Sequence, residues 1–401
     1  MKKNLTIIFL TVFLYLLGFG IIIPIIPNLG KTFGATPVQI GFLMSIYSIM
    51  QFLCAPLWGR LSDRIGRRPV LVYCLLGEGL AYLLFAFSRS LEVLFIARGL
   101  AGIFAASLST ATAYISDISS PQNRTKNMGL IGAAFGLGFV FGPAIGGGLA
   151  KWGETLSSEM YFSTTFASLW VAGLTFATFI FAWFNLHESL AAENRNKAQH
   201  QNRLKTLFTH LSKPNLGKLM VGFGLVATAM SCMEATLILF VGEKFQWGIK
   251  ESSWGFAYLG VMIVFTQGYL VRKWIPKYGE KRVLNWGLTL FMGGMLLIAL
   301  SNNLTTLTIA MTVLAIGNGL TNPTFQGCMS LLSRADEQGV VMGVGHSLSA
   351  LGRILGPLIG GFVFQNVSIV APYLASSLLA GVSLVLYFQI RNQIPNQGQR
   401  V

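Results

Sequence analysis

The chain has 401 residues, of which 53% are hydrophobic and only 11% charged, and its mean hydropathy is +0.62. A soluble globular domain carries about 25% charged residues, so this composition excludes one and points to an integral membrane protein. The net charge of +15 would suit a nucleic-acid binder, but that reading needs a basic patch away from the membrane-flanking segments, and the sequence offers none.

Roughly 20 apolar residues are needed to cross a hydrocarbon core of about 30 Å. Twelve such runs are predicted, near 5–27, 38–57, 69–88, 92–114, 127–150, 162–185, 216–241, 252–271, 282–301, 305–331, 339–364 and 370–390. The first follows Lys2 and Lys3, as a signal peptide would, but Pro24, Pro27 and the lack of a small-residue cleavage site predict a retained span. With both termini placed inside, only Lys31, Arg89, Lys151, Lys244 and Lys250 fall in outside loops, and Arg98 and Arg353 lie well within spans, while the remaining Lys and Arg lie in inside segments or, like Lys218 and Arg282, at the inside ends of spans. This positive-inside bias explains the basic charge without a polyanionic partner. The polar stretch 187–215 predicts a cytoplasmic linker between two six-span halves, 1–186 and 216–401. Cys54, Cys74, Cys232 and Cys328 each lie in a span and none has CxxC spacing, which argues against disulfides and metal.

The halves carry a duplication. GLGFVFGPAIGGGLA in span five and LGRILGPLIGGFVF in span eleven share a Gly-x3-Gly-Pro-x2-Gly-Gly pattern: Gly138, Gly142, Pro143, Gly146 and Gly147 match Gly352, Gly356, Pro357, Gly360 and Gly361. Small residues at spacing three and four let helices approach closely, and the prolines permit bending. Such a seam either rocks or simply packs. Repeated halves joined by a loop are the usual construction of secondary transporters.

The loop after span two reads GRLSDRIGRRP, with Gly59, Asp63, Arg64, Gly66, Arg67 and Arg68. A turn this tight between two helices requires Gly66, while Asp63 is placed to pair with a helix end or a basic residue. This stretch resembles the G-x3-D-[RK]-x-G-R-[RK] signature of the major facilitator superfamily. The second half holds a degenerate copy without the Asp, GYLVRKWIPKYGEKR at 268–282. LFIARGLAG, with Arg98 and Gly102, resembles the span-four motif of that family, and the Gly-Pro runs resemble its antiporter motif. LGFGIIIPIIPNL in span one is similar to the drug:proton antiporter branch known for tetracycline and multidrug exporters. The resemblance implies an all-α fold of twelve transmembrane helices in two six-helix repeats. It also sets Tyr15 and Ala81 where tetracycline exporters carry acids in spans one and three.

Chemistry is expected at the charges inside spans: Glu78, Arg98, Glu234 and Arg353, with His346 as a further titrating candidate. A carboxylate in hydrocarbon is costly, so it favours the neutral, protonated form, as a proton carrier requires. Glu78 and Glu234, one per half, are the expected proton-coupling acids, and Arg98, which keeps its proton, is the expected charge partner. Arg353 and His346 are as readily read as structural. Tyr15, Tyr47, Gln51, Asn318, Asn322 and Gln326 are polar residues within spans and are expected to line a substrate cavity.

These features together lead to the expectation of a proton-coupled antiporter exporting small amphipathic or cationic molecules such as drugs. The competing readings are a transporter of another solute (sugar, siderophore, metabolite or lipid) and a non-transporting membrane receptor. No enzymatic motif, cofactor, metal or nucleic-acid partner is expected, and no ATP-binding loop of the G-x4-G-K-[ST] type occurs. The expected setting is the plasma membrane, a bacterial inner membrane, with the protein multi-pass, monomeric and partnered by substrate, protons and lipid.

Overall fold

The computed structural model describes residues 2–105, 107–120, 124–157, 162–190, 195, 209–334 and 337–395. Most of the stretch expected to be a linker lies outside them, and among them every regular element is helical. Hydrocarbon offers the backbone no partners, so an apolar span must satisfy its own N–H and C=O groups, which a helix does. Span hydroxyls follow the same rule: Thr11, Thr175, Thr228, Thr236 and Thr321 each donate to the carbonyl four residues earlier.

The first span is α1 (Lys2–Ile22) and α2 (Ile25–Thr32), jointed at Pro24. Asn28 Nδ2 donates to the Pro24 carbonyl at 2.8 Å. Then come α3 (Pro37–Ile65), α4 (Arg67–Ala86), α5 (Leu91–Ala105), α6 (Ser107–Asp117), α7 (Arg124–Leu156) and α8 (Phe162–Asn185). After them follow α9 (Pro214–Phe245) and α10 (Ile249–Phe265). One π-helical turn, Thr266–Leu270, leads into α11 (Val271–Leu300), which breaks at Gly279 with φ 77°. The last three are α12 (Leu304–Leu331), α13 (Gln338–Asn366) and α14 (Ala371–Ile390). Ten stretches among the described residues are long and apolar enough to cross a membrane. One of them, Ile249–Leu300, holds the expected spans eight and nine, and α7 covers the expected fifth.

The loop expected after span two shrinks to a single residue. GRLSD continues α3 to Ile65, and Gly66, with φ 107°, alone makes the turn into α4. The Asp63–Arg67 pair spans this turn and ties the end of α3 to the start of α4.

Two compact units result. One comprises Met1–Thr36, Ile46–Gln199 and Trp247–Tyr258; the other comprises Pro37–Ser45, His200–Gln246 and Leu259–Val401. In the first, α1 packs on α7 and α4 on α5 and α8; in the second, α9 packs on α13 and α14. The duplicated glycines sit in equivalent seams. A Cβ at Gly138 would come 2.8 Å from the Leu16 carbonyl oxygen, and one at Gly142 would come 2.6 Å from the Gly20 backbone. A Cβ at Gly356 would come 2.5 Å from the Thr228 carbonyl oxygen, and one at Gly352 would come 2.8 Å from the Thr228 nitrogen. The last glycine of each copy faces a different helix: Gly147 lies against Ser253 of α10, and Gly361 against the Pro37 carbonyl at the start of α3.

Candidate functional site

Glu78 stands mid-way along α4 and is 1% exposed. The two glycines beside it make room for aromatic rings. Gly77 lies against the Phe104 ring of α5, and a Cβ at Gly79 would come 3.1 Å from the Phe176 ring of α8. The sequence Gly-Glu-Gly thus lets α5 and α8 bring a phenyl ring against α4 on each side of the acid's position in the chain.

Around that acid, four helices of the first unit bring polar side chains. Arg98 of α5 is 3% exposed, and its guanidinium carbon lies 4.4 Å from the centre of the Tyr47 ring of α3. This cation–π contact stabilises a desolvated charge. Tyr47 and Tyr15 of α1 share a hydroxyl–hydroxyl bond of 3.1 Å. The carbonyl of Ala105, the last residue of α5, accepts from the Tyr15 hydroxyl at 3.2 Å and from Gln51 Nε2 at 3.1 Å. A helix end releases such carbonyls, and these two side chains answer it.

Within the ring of helices, several buried groups have no hydrogen-bond partner among the described residues: both Glu78 carboxyl oxygens, Tyr82 Oη, Arg98 Nε and Nη1, and Thr110 Oγ1. Tyr82, one turn from Glu78 on α4, and the Arg98 charge both act on that carboxyl, yet no ion pair joins Glu78 to Arg98. Native proteins seldom leave so many buried polar atoms open in one place. The acid, the guanidinium and the Tyr82 hydroxyl act on one another and are open to a proton or a ligand.

In the second unit, Glu234 is half-buried on α9. The Arg353 charge of α13 acts on it and also on His346, and the His346 ring meets Phe223 edge-on at 6.4 Å. Asn318, Asn322 and Gln326 follow one another at successive turns of α12, with Gln326 Nε2 donating to Asn322 Oδ1 at 3.1 Å. The residues expected to line a cavity thus fall in two settings: Tyr15 and Tyr47 are sealed beside Glu78, while Asn322 is exposed.

The glycine turn forms a further network. Arg67 Nε reaches Asp117 of α6 at 3.2 Å, and its Nη1 donates to Ser62 Oγ at 2.7 Å as well as pairing with Asp63. Glu188, just past α8, accepts the backbone N–H of Arg67 at 2.8 Å and that of Arg68 at 3.2 Å, capping α4. Arg68 also donates to the Trp183 carbonyl at 2.7 Å. Gly59 faces open space, and Arg64 is exposed. Sequence reasoning missed Tyr82, Asp117 and Glu188. Tyr82 was accessible as the residue one turn beyond Glu78, whereas nothing local ties Asp117 or Glu188 to Arg67.

The family model described as Major Facilitator Superfamily matches residues 8–278 and 269–400. The chain belongs to the major facilitator superfamily. Within this superfamily it is 31% identical to the tetracycline resistance protein, class H, of Pasteurella multocida, over 91% of this chain and 90% of that protein. It is 29% identical to multidrug resistance protein 2 of Bacillus subtilis (strain 168), over 96% and 94%. Among solved structures, the human organic anion transporter MFSD10 (TETRAN) superposes with a TM-score of 0.71 at 26% identity, covering 96% of this chain and 98% of that one. A bacterial homologue of the human lysosomal transporter Spinster shares the fold, with a TM-score of 0.78 at 16% identity over 98% and 97%. The twelve-helix major facilitator fold and a multi-pass membrane protein follow from these findings and from the helices above.

Proposed function

We propose that the protein is a proton-coupled antiporter of the plasma membrane that exports small amphipathic or cationic molecules, drugs among them. The observation that carries this reading is the buried Glu78 site. A buried acid acted on by a tyrosine hydroxyl and an arginine charge, with no ion pair to hold it ionised, suits a group that changes its protonation state. Similarity along nearly the full chain to tetracycline and multidrug resistance proteins supports the same direction.

In the proposed cycle, substrate enters from the cytoplasm while Glu78 or Glu234 is deprotonated. The repeats rearrange outward, and protonation from outside displaces the substrate. Arg98, held over the Tyr47 ring, stabilises Glu78 after it has lost its proton. Both termini face the cytoplasm, residues 1–186 and 216–401 act as the two halves of a monomer, and 187–215 joins them. The glycine seams and the Arg67 network allow or restrain the rearrangement. A second reading, export of an anionic solute, draws on the open donors of Arg98 and on the likeness to an organic anion transporter.

Everted membrane vesicles test this proposal. Under an acid-inside gradient, vesicles containing the protein should accumulate ethidium or tetracycline, and a protonophore should abolish the uptake. Accumulation confined to right-side-out vesicles would reverse the assigned direction. Uptake of an anionic dye in place of ethidium would favour the second reading.

A further inference from the structure

The break at Gly279 inside α11 is a second edition of the Gly66 turn, with Arg272, Lys273 and Lys277 exposed beside it. Gly66 and Gly279 both have positive φ, 107° and 77°. Setting them in register places Pro276 opposite Asp63 and Glu280 opposite Arg67. In the first copy, carboxylates answer the cations: Asp63 and Asp117 hold Arg67, and Glu188 takes the backbone N–H groups of Arg67 and Arg68. In the second copy, the one carboxylate between 268 and 282 is Glu280. Its side chain lies along α12, where a Cβ at Gly327 would come 3.0 Å from its Cγ.

Arg272, Lys273 and Lys277 are therefore presented outward. All three are exposed, and among the described residues none forms an ion pair. Aromatic rings lie with them. Lys273 Nζ donates to the Tyr269 hydroxyl at 3.3 Å and lies 5.4 Å from that ring's centre, and Lys277 Nζ lies 5.1 Å from the Tyr278 ring centre. Trp286 meets Trp274 edge-on at 5.7 Å and Tyr278 at 5.0 Å, giving the lysines a firm aromatic backing. The Tyr387 hydroxyl donates to the Lys281 carbonyl at 2.6 Å, tying the turn to α14.

Tryptophan and tyrosine settle at the membrane–water interface, where their rings meet headgroups and acyl chains together. Cations at that depth are attracted to anionic headgroups. We propose that this turn is a binding site for an anionic phospholipid, whose headgroup phosphate is held by Arg272, Lys273 and Lys277 while its upper acyl chain lies against Tyr269 and Trp274. The site is separate from Glu78 and needs no transported substrate.

Native mass spectrometry of the purified full-length protein in detergent, titrated with phosphatidylglycerol or with phosphatidylcholine of the same chains, tests it. The wild-type protein should retain phosphatidylglycerol about tenfold or more in preference, since each juxtamembrane cation contributes roughly a factor of five. Combining Arg272→Gln, Lys273→Gln and Lys277→Gln should remove the preference, while Arg60→Gln with Arg64→Gln should leave it largely in place. Lys273→Arg alone should keep it, which separates a lost charge from a disturbed fold. Equal retention of both lipids by the wild-type protein, or an undiminished preference in the triple variant, would overturn the assignment. So would full displacement by soluble glycerol phosphate at equal concentration, because the site would then read the headgroup without the lipid.

Discussion

At Glu78, the surroundings decide what the acid does. Phe104 and Phe176 pack into the space that the flanking Gly77 and Gly79 leave, and Arg98 lies over the Tyr47 ring without an ion pair to the carboxylate. A carboxylic acid in such a place resembles glutamine in shape and charge. Glu78→Gln should therefore leave thermal stability within about 0.5 kcal/mol of wild type, while abolishing gradient-driven export; a melting curve and a vesicle assay read the two separately. Arg98→Lys keeps the charge but loses the flat guanidinium over Tyr47. It should lower stability by about 1–2 kcal/mol and impair export. A variant as stable and active as wild type would show that the stacking is incidental. The sequence makes Glu78 and Arg98 visible because charges in apolar runs stand out. It hides Tyr82, since hydroxyls at helical spacing are common in spans and only the fold shows which one acts on the acid.

At the level of helices and turns, close approach of backbones is the governing constraint. Gly66 combines a φ of 107° with contact to the Glu188 carboxylate, since a Cβ there would fall 2.7 Å from Glu188 Cδ. Gly66→Ala should destabilise by about 1–3 kcal/mol through strain and loss of the cap, as measured by chemical or thermal unfolding. Glu188→Ala should lose only the cap, about 1 kcal/mol. If Gly66→Ala is no worse than Glu188→Ala, the backbone argument fails. In the seams, Gly356→Val would drive a branched side chain into Thr228 and Cys232 of α9. It should sharply reduce folded protein or halt export, whereas Gly148→Ala, where a Cβ meets nothing within 4 Å, should be tolerated. The duplicated Gly-Pro pattern already announces both seams in the sequence. Which helix each glycine meets is not legible there, because α1 and α9 are distant in sequence and present no matching motif.

For the whole molecule, hydropathy and charge bias are enough to indicate the spans, because lipid forces each apolar run to form a helix. The departures are local. The GRLSD stretch extends α3, an Asp63–Arg67 pair spans the turn into α4, Pro24 joints the first span, and a π-helical turn carries α10 toward α11. The Arg67 network draws Asp117 and Glu188 from other parts of the chain, and pairings of that kind come from packing alone. Membership of the superfamily fixes the fold, while the substrate and the proposed coupling at Glu78 and Glu234 are matters of local chemistry that the fold does not decide.

Coupling is tested most directly by proton movement during transport. Purified protein in liposomes carrying a pH-sensitive dye is given an ethidium gradient with no imposed pH difference. Wild-type protein should move protons opposite to ethidium, and Glu78→Gln should move none while any residual ethidium flux continues uncoupled. Proton counter-flow of wild-type size in both Glu78→Gln and Glu234→Gln would contradict the account.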